Sequence, residues 1–323
     1  MKKTFLGIFS ITVITYLLSG CTTSNNGNIT KLSEDKISTR LNKLPSSLTS
    51  SDLFNTTVLE PTQLFDNLYF VGYISVGTFV ITTTEGIILI DTMWTPHDAK
   101  HVIVPGLKEL GLNPEDIKYV IVTHGHSDHY GGAHYFESHY GAKILMRKNE
   151  WDYIHNPNAP VLTDPFGNFS TEIPLPSTYT QVIDGEKISL GKTNLTVLAT
   201  PGHTPGGLSL IIPVTDNGIP HTVALWGGTG LPDTKEANQT YLHSLNYFQK
   251  IANKNDVDGS ISNHPFSHDL INQINQINQI NTLKNRKSDQ RNPVITGNKA
   301  FNEYIDDVLR NNVQKKISSF ESN

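Results

Sequence analysis

Three imidazoles and a carboxylate are packed into Thr123-His124-Gly125-His126-Ser127-Asp128-His129. Imidazole nitrogens and carboxylate oxygens are ligands suited to zinc. Neighbouring imidazoles repel once protonated, so so dense a cluster is a poor structural device and a good metal-binding one. Two more histidines stand in turn-forming surroundings: His203 in Thr200-Pro201-Gly202-His203-Thr204-Pro205-Gly206, and His264 in Ile261-Ser262-Asn263-His264-Pro265-Phe266. One aspartate, Asp91, closes the apolar run Gly86-Ile87-Ile88-Leu89-Ile90.

Such groups need a frame that aims them at one point. Tyr119-Val120-Ile121-Val122 predicts a short buried strand, and Gly125 and Ser127 place the cluster in a tight loop at its C-terminal end. Leu68–Val71, Thr78–Ile81 and Ile87–Ile90 predict the first antiparallel strands of one sheet. Thr95-Pro96 opens a helix with the stripe Val102, Ile103, Leu107 and Leu110; Gly111 ends it and Pro105 kinks it. Gly131-Gly132 allows close backbone packing, and a helix beginning in the histidine cluster continues from His134 to Tyr140. Ala142–Met146 reads as a strand, and 151–180 as a long aperiodic loop over the site.

The second half repeats the theme. Val182-Ile183, Lys187–Leu190, Asn194–Ala199, Leu208–Ile212 and Val223–Trp226 predict strands. Two strand-rich halves, each followed by helices, predict an α/β (α+β) fold: an αββα sandwich with the ligands on loops at one edge. Residues 271–281 repeat Ile-Asn-Gln with period three, so four isoleucines drift through about half a helical turn. That predicts a low-complexity surface helix or loop without function, within a polar insertion over 271–292. Phe301, Tyr304, Ile305, Val308, Leu309 and Val313 form the apolar stripe of a closing helix over 298–318.

Composition bounds the rest. The chain has 323 residues, 37% of them hydrophobic, and a mean hydropathy of -0.29, as in soluble globular proteins. A net charge of -5 offers no basic footprint, so nucleic acid is not expected as a partner. Cys21 is the one cysteine, which rules out an intrachain disulfide. Lys2 and Lys3 precede an apolar stretch from Phe5 to Leu18, too short to span a bilayer comfortably. Leu18-Ser19-Gly20-Cys21 resembles a lipobox. The expected organisation is a signal peptide over 1–20, a Ser/Thr/Asn/Lys-rich tether over 21–56 from a lipidated Cys21, and a folded domain over 57–323 that carries the histidine cluster. The expected location is a periplasm-facing membrane anchor; Thr22, in place of an aspartate, resembles an outer-membrane sorting signal in a Gram-negative cell.

His124-x-His126-x-Asp128-His129 resembles the signature of the metallo-β-lactamase superfamily, with Asp91, His203 and His264 in that family's order. The resemblance covers roughly 57 to 318. It implies that His124, His126 and His203 hold one Zn2+ and that Asp128, His129 and His264 hold a second, more weakly occupied one. It implies a zinc-activated water as nucleophile, with Asp128 orienting it and relaying its proton, and Asp91 hydrogen-bonding a ligand loop rather than binding metal.

The departures narrow the subfamily. Where many two-zinc members carry a bridging aspartate, this chain has Leu225-Trp226-Gly227-Gly228-Thr229-Gly230, with no aspartate before Asp233. That weakens lactonases and thioesterases of the glyoxalase II type. Members that use a cysteine are excluded, since only Cys21 is available. The resemblance then points to the third metallo-β-lactamase subclass, with its Asp-His-His second site, and to hydrolysis of the β-lactam amide of a small molecule. Hydrolysis of another ester, thioester or phosphoester is the alternative, and a metal-binding surface lipoprotein with little turnover is a third. Thr229 is a candidate substrate contact, where the subclass often has a serine. Tyr130 and Trp226 read as core. His97, His101, His134, His139, His155, His221, His243 and His268 read as surface or capping residues. Oligomeric state is left open.

Overall fold

The computed structural model describes residues 54–158, 172–265 and 276–321. Cys21, the tether up to residue 53, His268, residues 159–171 and residues 271–275 of the repeat lie outside the described residues.

The strands form two sheets. In the first, β1 (Val58–Phe65), β2 (Leu68–Tyr73), β3 (Gly77–Thr83) and β4 (Gly86–Ile90) are an antiparallel meander. To it β5 (Ile117–Ile121), β6 (Lys143–Met146) and β7 (Thr180–Gln181) add in parallel. Parallel neighbours need a crossover. α1 (Pro96–Asp98) and α2 (Val104–Glu109) provide the first; α3 (Ser127–Tyr130) and α4 (Ala133–Tyr140) the second. α5 (Lys148–Ile154) follows β6. In the second sheet, β8 (Lys187–Leu190), β9 (Thr193–Ala199), β10 (Leu208–Asp216) and β11 (Ile219–Leu225) are antiparallel. After α6 (Lys235–Lys254), β12 (Gly259–Ile261) joins β11 in parallel at the sheet's edge. α7 (Gln276–Lys284), α8 (Asn298–Glu303) and α9 (Asn311–Ser319) complete the described chain.

Three buried apolar layers make this the expected αββα sandwich. Phe79, Ile81 and Ile90 of the first sheet meet Val197, Leu210 and Leu225 of the second. Val80, Leu89 and Val120 face outward onto Ile103, Leu107 and Phe136. Ile211 and Trp226 face outward onto Tyr241, Leu245, Phe248, Phe301 and Leu309. Alternate residues of one strand serve opposite layers, which is why the strands read as continuous apolar runs. Each fully buried Val, Leu, Ile or Phe contributes roughly 1.5–3 kcal/mol.

Several expectations need correction. The helix expected around Pro105 is not a single α-helix. It widens ahead of that proline over Ala99–Ile103, and the Val104 N–H reaches the Ala99 carbonyl five residues back. That wider turn relieves the clash of the proline ring with the preceding turn. The helix of the histidine cluster is two pieces, parted at Gly131-Gly132, where a Cβ on Gly131 would overlap the Trp94 carbonyl. Residues 151–180 are not all loop: α5 runs to Ile154, and Trp151 stacks on Tyr179 with ring centroids 4.3 Å apart. The strand expected at Val182-Ile183 lies two residues earlier, with Val182 buried in the core and Ile183 exposed.

The described part of the Ile-Asn-Gln repeat is not a surface segment. Ile277 and Ile280 are buried between the sheets, with Leu283 packed beside them. Each three-residue step turns a helix position by about 60°, so three such residues span about 120°, still one apolar stripe. The helix holds this stripe with two isoleucines of the repeat and a leucine beyond it.

Candidate metal centre

The candidate ligands sit where strands of both sheets end. The loop after β5 carries His124 and His126, and α3, which follows it, carries Asp128 and His129; the loop between β9 and β10 carries His203; His264 follows β12. Asp91 follows β4. The carboxyl ends of parallel strands are where open α/β sheets gather their ligands.

The structure brings the six residues into two triads. His203 Nε2 lies 3.2 Å from His124 Nε2 and 3.1 Å from His126 Nδ1. His129 Nε2 lies 3.1 Å from His264 Nε2 and 3.3 Å from Asp128 Oδ2, and His264 Nε2 is 3.5 Å from that oxygen. Donors bound at 2.0–2.1 Å around a tetrahedral ion stand about 3.3 Å apart. These separations are those of tetrahedral ligands, and in each triad three protein ligands would leave a fourth position.

Hydrogen bonds aim most of the rings. His203 Nδ1 donates to the Gly230 carbonyl at 2.7 Å, and His264 Nδ1 to the Ser75 carbonyl at 2.8 Å. Each bond fixes the tautomer that turns a bare Nε2 inward. Thr123 Oγ1 donates to Asp91 Oδ2 at 2.9 Å, so it accepts from His124 Nδ1 at 3.2 Å.

Asp91 organises the second triad. Its carboxylate accepts from the Thr123 N–H at 2.8 Å, from His129 Nδ1 at 2.7 Å and from Asn263 Nδ2 at 2.7 Å. It is fully buried with φ +61°, a conformation that non-glycine residues adopt only where the surroundings over-determine it. Asn263 and His264 are neighbours, so Asp91 ties β4, the histidine loop and the β12 end into one knot.

The electrostatics of the two triads differ. Burial and the charge of neighbouring rings hold His124 well below the ordinary histidine range. Burial likewise lowers His126 to about 4; burial and His126 lower His203 to about 3. These imidazoles are neutral at pH 7, as metal binding requires. Burial also pulls His129 down, but Asp128 and Asp91 outweigh it and raise it to about 10. Burial works against the Asp128 carboxylate, yet His129 and His264 hold it well below its usual range.

Sequence reasoning missed Glu150. This side chain of α5 is fully buried. It accepts the Gly125 N–H at 2.5 Å, between His124 and His126, and the Gly206 N–H in the His203 loop. It thus clamps the two loops that build the first triad. Burial raises its pKa, against the pull of those hydrogen bonds. In Lys148-Asn149-Glu150-Trp151-Asp152 it looks like any surface glutamate; only the partners, 25 and 56 residues away, distinguish it.

The remaining candidates fall as follows. Thr229 is half-buried between Gly228 and Gly230, which pack against the His203 ring. Asp233 is exposed and, among the described residues, belongs to neither triad. Tyr130 and Trp226 are buried in the core. His155 Nδ1 donates to the Trp151 carbonyl at the end of α5, and His221 Nδ1 donates to Asp258 at 2.6 Å.

Comparison with known proteins agrees with this geometry. Residues 73–216 match the family profile described as the Metallo-beta-lactamase superfamily. The structure is similar to BJP-1, a subclass B3 metallo-β-lactamase of Bradyrhizobium japonicum, with a TM-score of 0.65 and 25% identity over 81% of this chain and 95% of that one. In sequence, it is 26% identical over 181 residues to the N-acyl homoserine lactonase AttM of Rhizobium radiobacter, covering 52% of this chain. It is 31% identical over 131 residues to the hydroxyacylglutathione hydrolase GloC of Haemophilus influenzae, covering 41% of this chain. The matches span 65% and 59% of those two relatives' lengths.

Proposed function

For this hydrolase of the metallo-β-lactamase fold, we propose hydrolysis of the β-lactam amide, with Zn2+ held by His124, His126 and His203 and a second Zn2+ by Asp128, His129 and His264. The observation that carries the reading is the second triad, complete with Asp128, His129 and His264 and with no aspartate in the 226–230 turn. Likeness to a subclass B3 β-lactamase supports it. When bound, the ions supply Lewis acidity and lower the pKa of water toward neutrality.

The chain's own groups do the rest. Asp128 stays ionised and can accept a hydrogen bond from an attacking water, orienting it and passing its proton to the leaving nitrogen. The Gly230 and Ser75 carbonyls keep His203 and His264 from rotating away. Thr229, between the two glycines that pack against His203, would donate to a bound substrate. The N-terminal segment, through a lipidated Cys21, would hold the enzyme at a periplasm-facing membrane surface; replacing Cys21 with serine would then release it from the membrane fraction.

The similarity to a lactonase and a thioester hydrolase favours a second reading, hydrolysis of a lactone or thioester. One assay separates the two. A chain starting after Cys21, loaded with Zn2+, is given a carbapenem, a cephalosporin, an acyl homoserine lactone and a glutathione thioester, with and without chelator. Turnover of the β-lactams that is lost on chelation and in His203→Ala carries the first reading. Turnover confined to the lactone or thioester replaces it, and none on any substrate with both ions bound leaves a metal-binding protein.

A further inference from the structure

We infer that Gln276, from the Ile-Asn-Gln repeat, is a positioning residue for the second metal: its amide completes the edge of β12 and so holds the His264 loop in place. The inference rests on the two-ion reading above and extends it to a residue outside both triads.

The argument begins with an edge. Among the described residues β12 is the last strand of its sheet, paired with β11, so other groups complete its outer edge. Unpaired backbone groups in a buried setting are costly. At Gly259 the outer edge is met by Ile295. At Ser262, one residue past the strand, the partner is a side chain. The Ser262 N–H donates to Gln276 Oε1 at 2.7 Å, and Gln276 Nε2 donates to the Ser262 carbonyl at 2.8 Å. A primary amide presents a donor and an acceptor side by side, as a peptide group does, and here it stands in for a neighbouring strand.

From Ser262 the restraint passes to the metal site in two steps. Ser262 Oγ accepts the His264 N–H at 3.1 Å, and Asn263 between them donates to Asp91. With its backbone pinned, the loop brings His264 Nδ1 onto the Ser75 carbonyl and Nε2 to 3.1 Å from His129 Nε2. Gln276 is itself buried and can be fixed there because Ile277 and Ile280 anchor α7 between the sheets. The three-residue period thus places an amide beside the isoleucine that buries it. The first triad has no such dependence, since Glu150 and Gly230 brace it from other elements.

The test compares the wild-type chain with Gln276→Ala, Gln276→Glu and Gln279→Ala, each titrated from the metal-free state with Zn2+ against a chromophoric chelator and with Co2+ followed by its visible spectrum. Gln279 is the control: it is buried on the same helix but donates to the Pro293 carbonyl, away from the histidines. The expected result is two ions in the wild type and in Gln279→Ala. Both Gln276 variants keep the first ion and bind the second about 10- to 100-fold more weakly, the usual effect of losing a group that orients a ligand. Gln276→Glu keeps the acceptor but faces the Ser262 carbonyl with an oxygen, so it falls with the alanine variant. Retained first-ion affinity shows that the variants are folded. Wild-type affinity for the second ion in Gln276→Ala, or an equal loss in Gln279→Ala, overturns the inference alone. A wild-type chain that takes up fewer than two ions overturns both the inference and the reading beneath it.

Discussion

The two triads are built from similar residues on different supports. His124, His126 and His203 are three neutral rings, stripped of protons by burial and clamped by one buried carboxylate that accepts backbone N–H groups of both loops and touches none of the rings' nitrogens. Asp128, His129 and His264 include a carboxylate and lean on another, Asp91, which bonds His129 directly. The first triad is ready for a cation at neutral pH. In the second, the carboxylates that would stabilise a cation also hold a proton on His129, and a metal must displace it. The contrast shows how placing the nearby carboxylate on backbone or on a ring decides whether a histidine site is pre-formed or proton-gated.

The largest effect is expected at Asp91. Asp91→Ala removes the partner of a buried ring and three further hydrogen bonds, at a cost of about 3–5 kcal/mol. Thermal unfolding of the metal-free chain would fall sharply and uptake of the second ion would be lost. A variant that keeps both ions would remove Asp91 from the contrast.

Glu150→Gln preserves size but sets an N–H group against one of the two glycine N–H groups. The expected loss is about 10- to 100-fold in affinity for the first ion, with the second less affected. Titration with Zn2+ reads both constants; a preferential loss at the second site would invert the comparison.

The pH response of the metal-free chain sharpens it further. His126 and His203 titrate near 4 and 3 when folded and near 6.5 when unfolded. Below 6.5 the unfolded chain takes up those protons first, so stability falls as pH drops from about 6.5 toward 3. His129 has the opposite sign. Its folded value of about 10 lies above the unfolded one, so its stabilisation is full below 6.5 and disappears as pH rises to about 10. The melting temperature under chelation is thus expected to peak near pH 6.5. A profile flat on the alkaline side would show that His129 is not held protonated.

Thr229→Ala is expected to act least. Loss of one hydrogen bond to substrate is worth roughly 1 kcal/mol, or about fivefold in KM, with metal content unchanged. Unaltered KM on every substrate hydrolysed would exclude Thr229 from binding.

Much of this site was legible in the chain because chemistry and spacing coincide. His124 to His129 lie within six residues, and His203 and His264 each stand one or two residues before a turn-forming proline. β1 and β12 were not legible: β1 carries Pro61 and two register shifts, and β12 is three residues long. Glu150 and Gln276 escaped because their meaning lies in backbone groups of distant segments.

By itself, the sequence determined the residue types that can hold metal, the strands that lead to all of them but His264, and the glycines that let the histidine loop pack tightly. Those properties are local, set by side-chain chemistry and by short-range periodicity. Only the tertiary structure decided which histidine joins which triad, that Glu150 clamps two loops, and that a low-complexity repeat supplies a buried amide to a sheet edge. Those outcomes depend on contacts between residues 14 to 172 positions apart. Such pairings form only when the two sheets close on a shared core, and no local pattern encodes them.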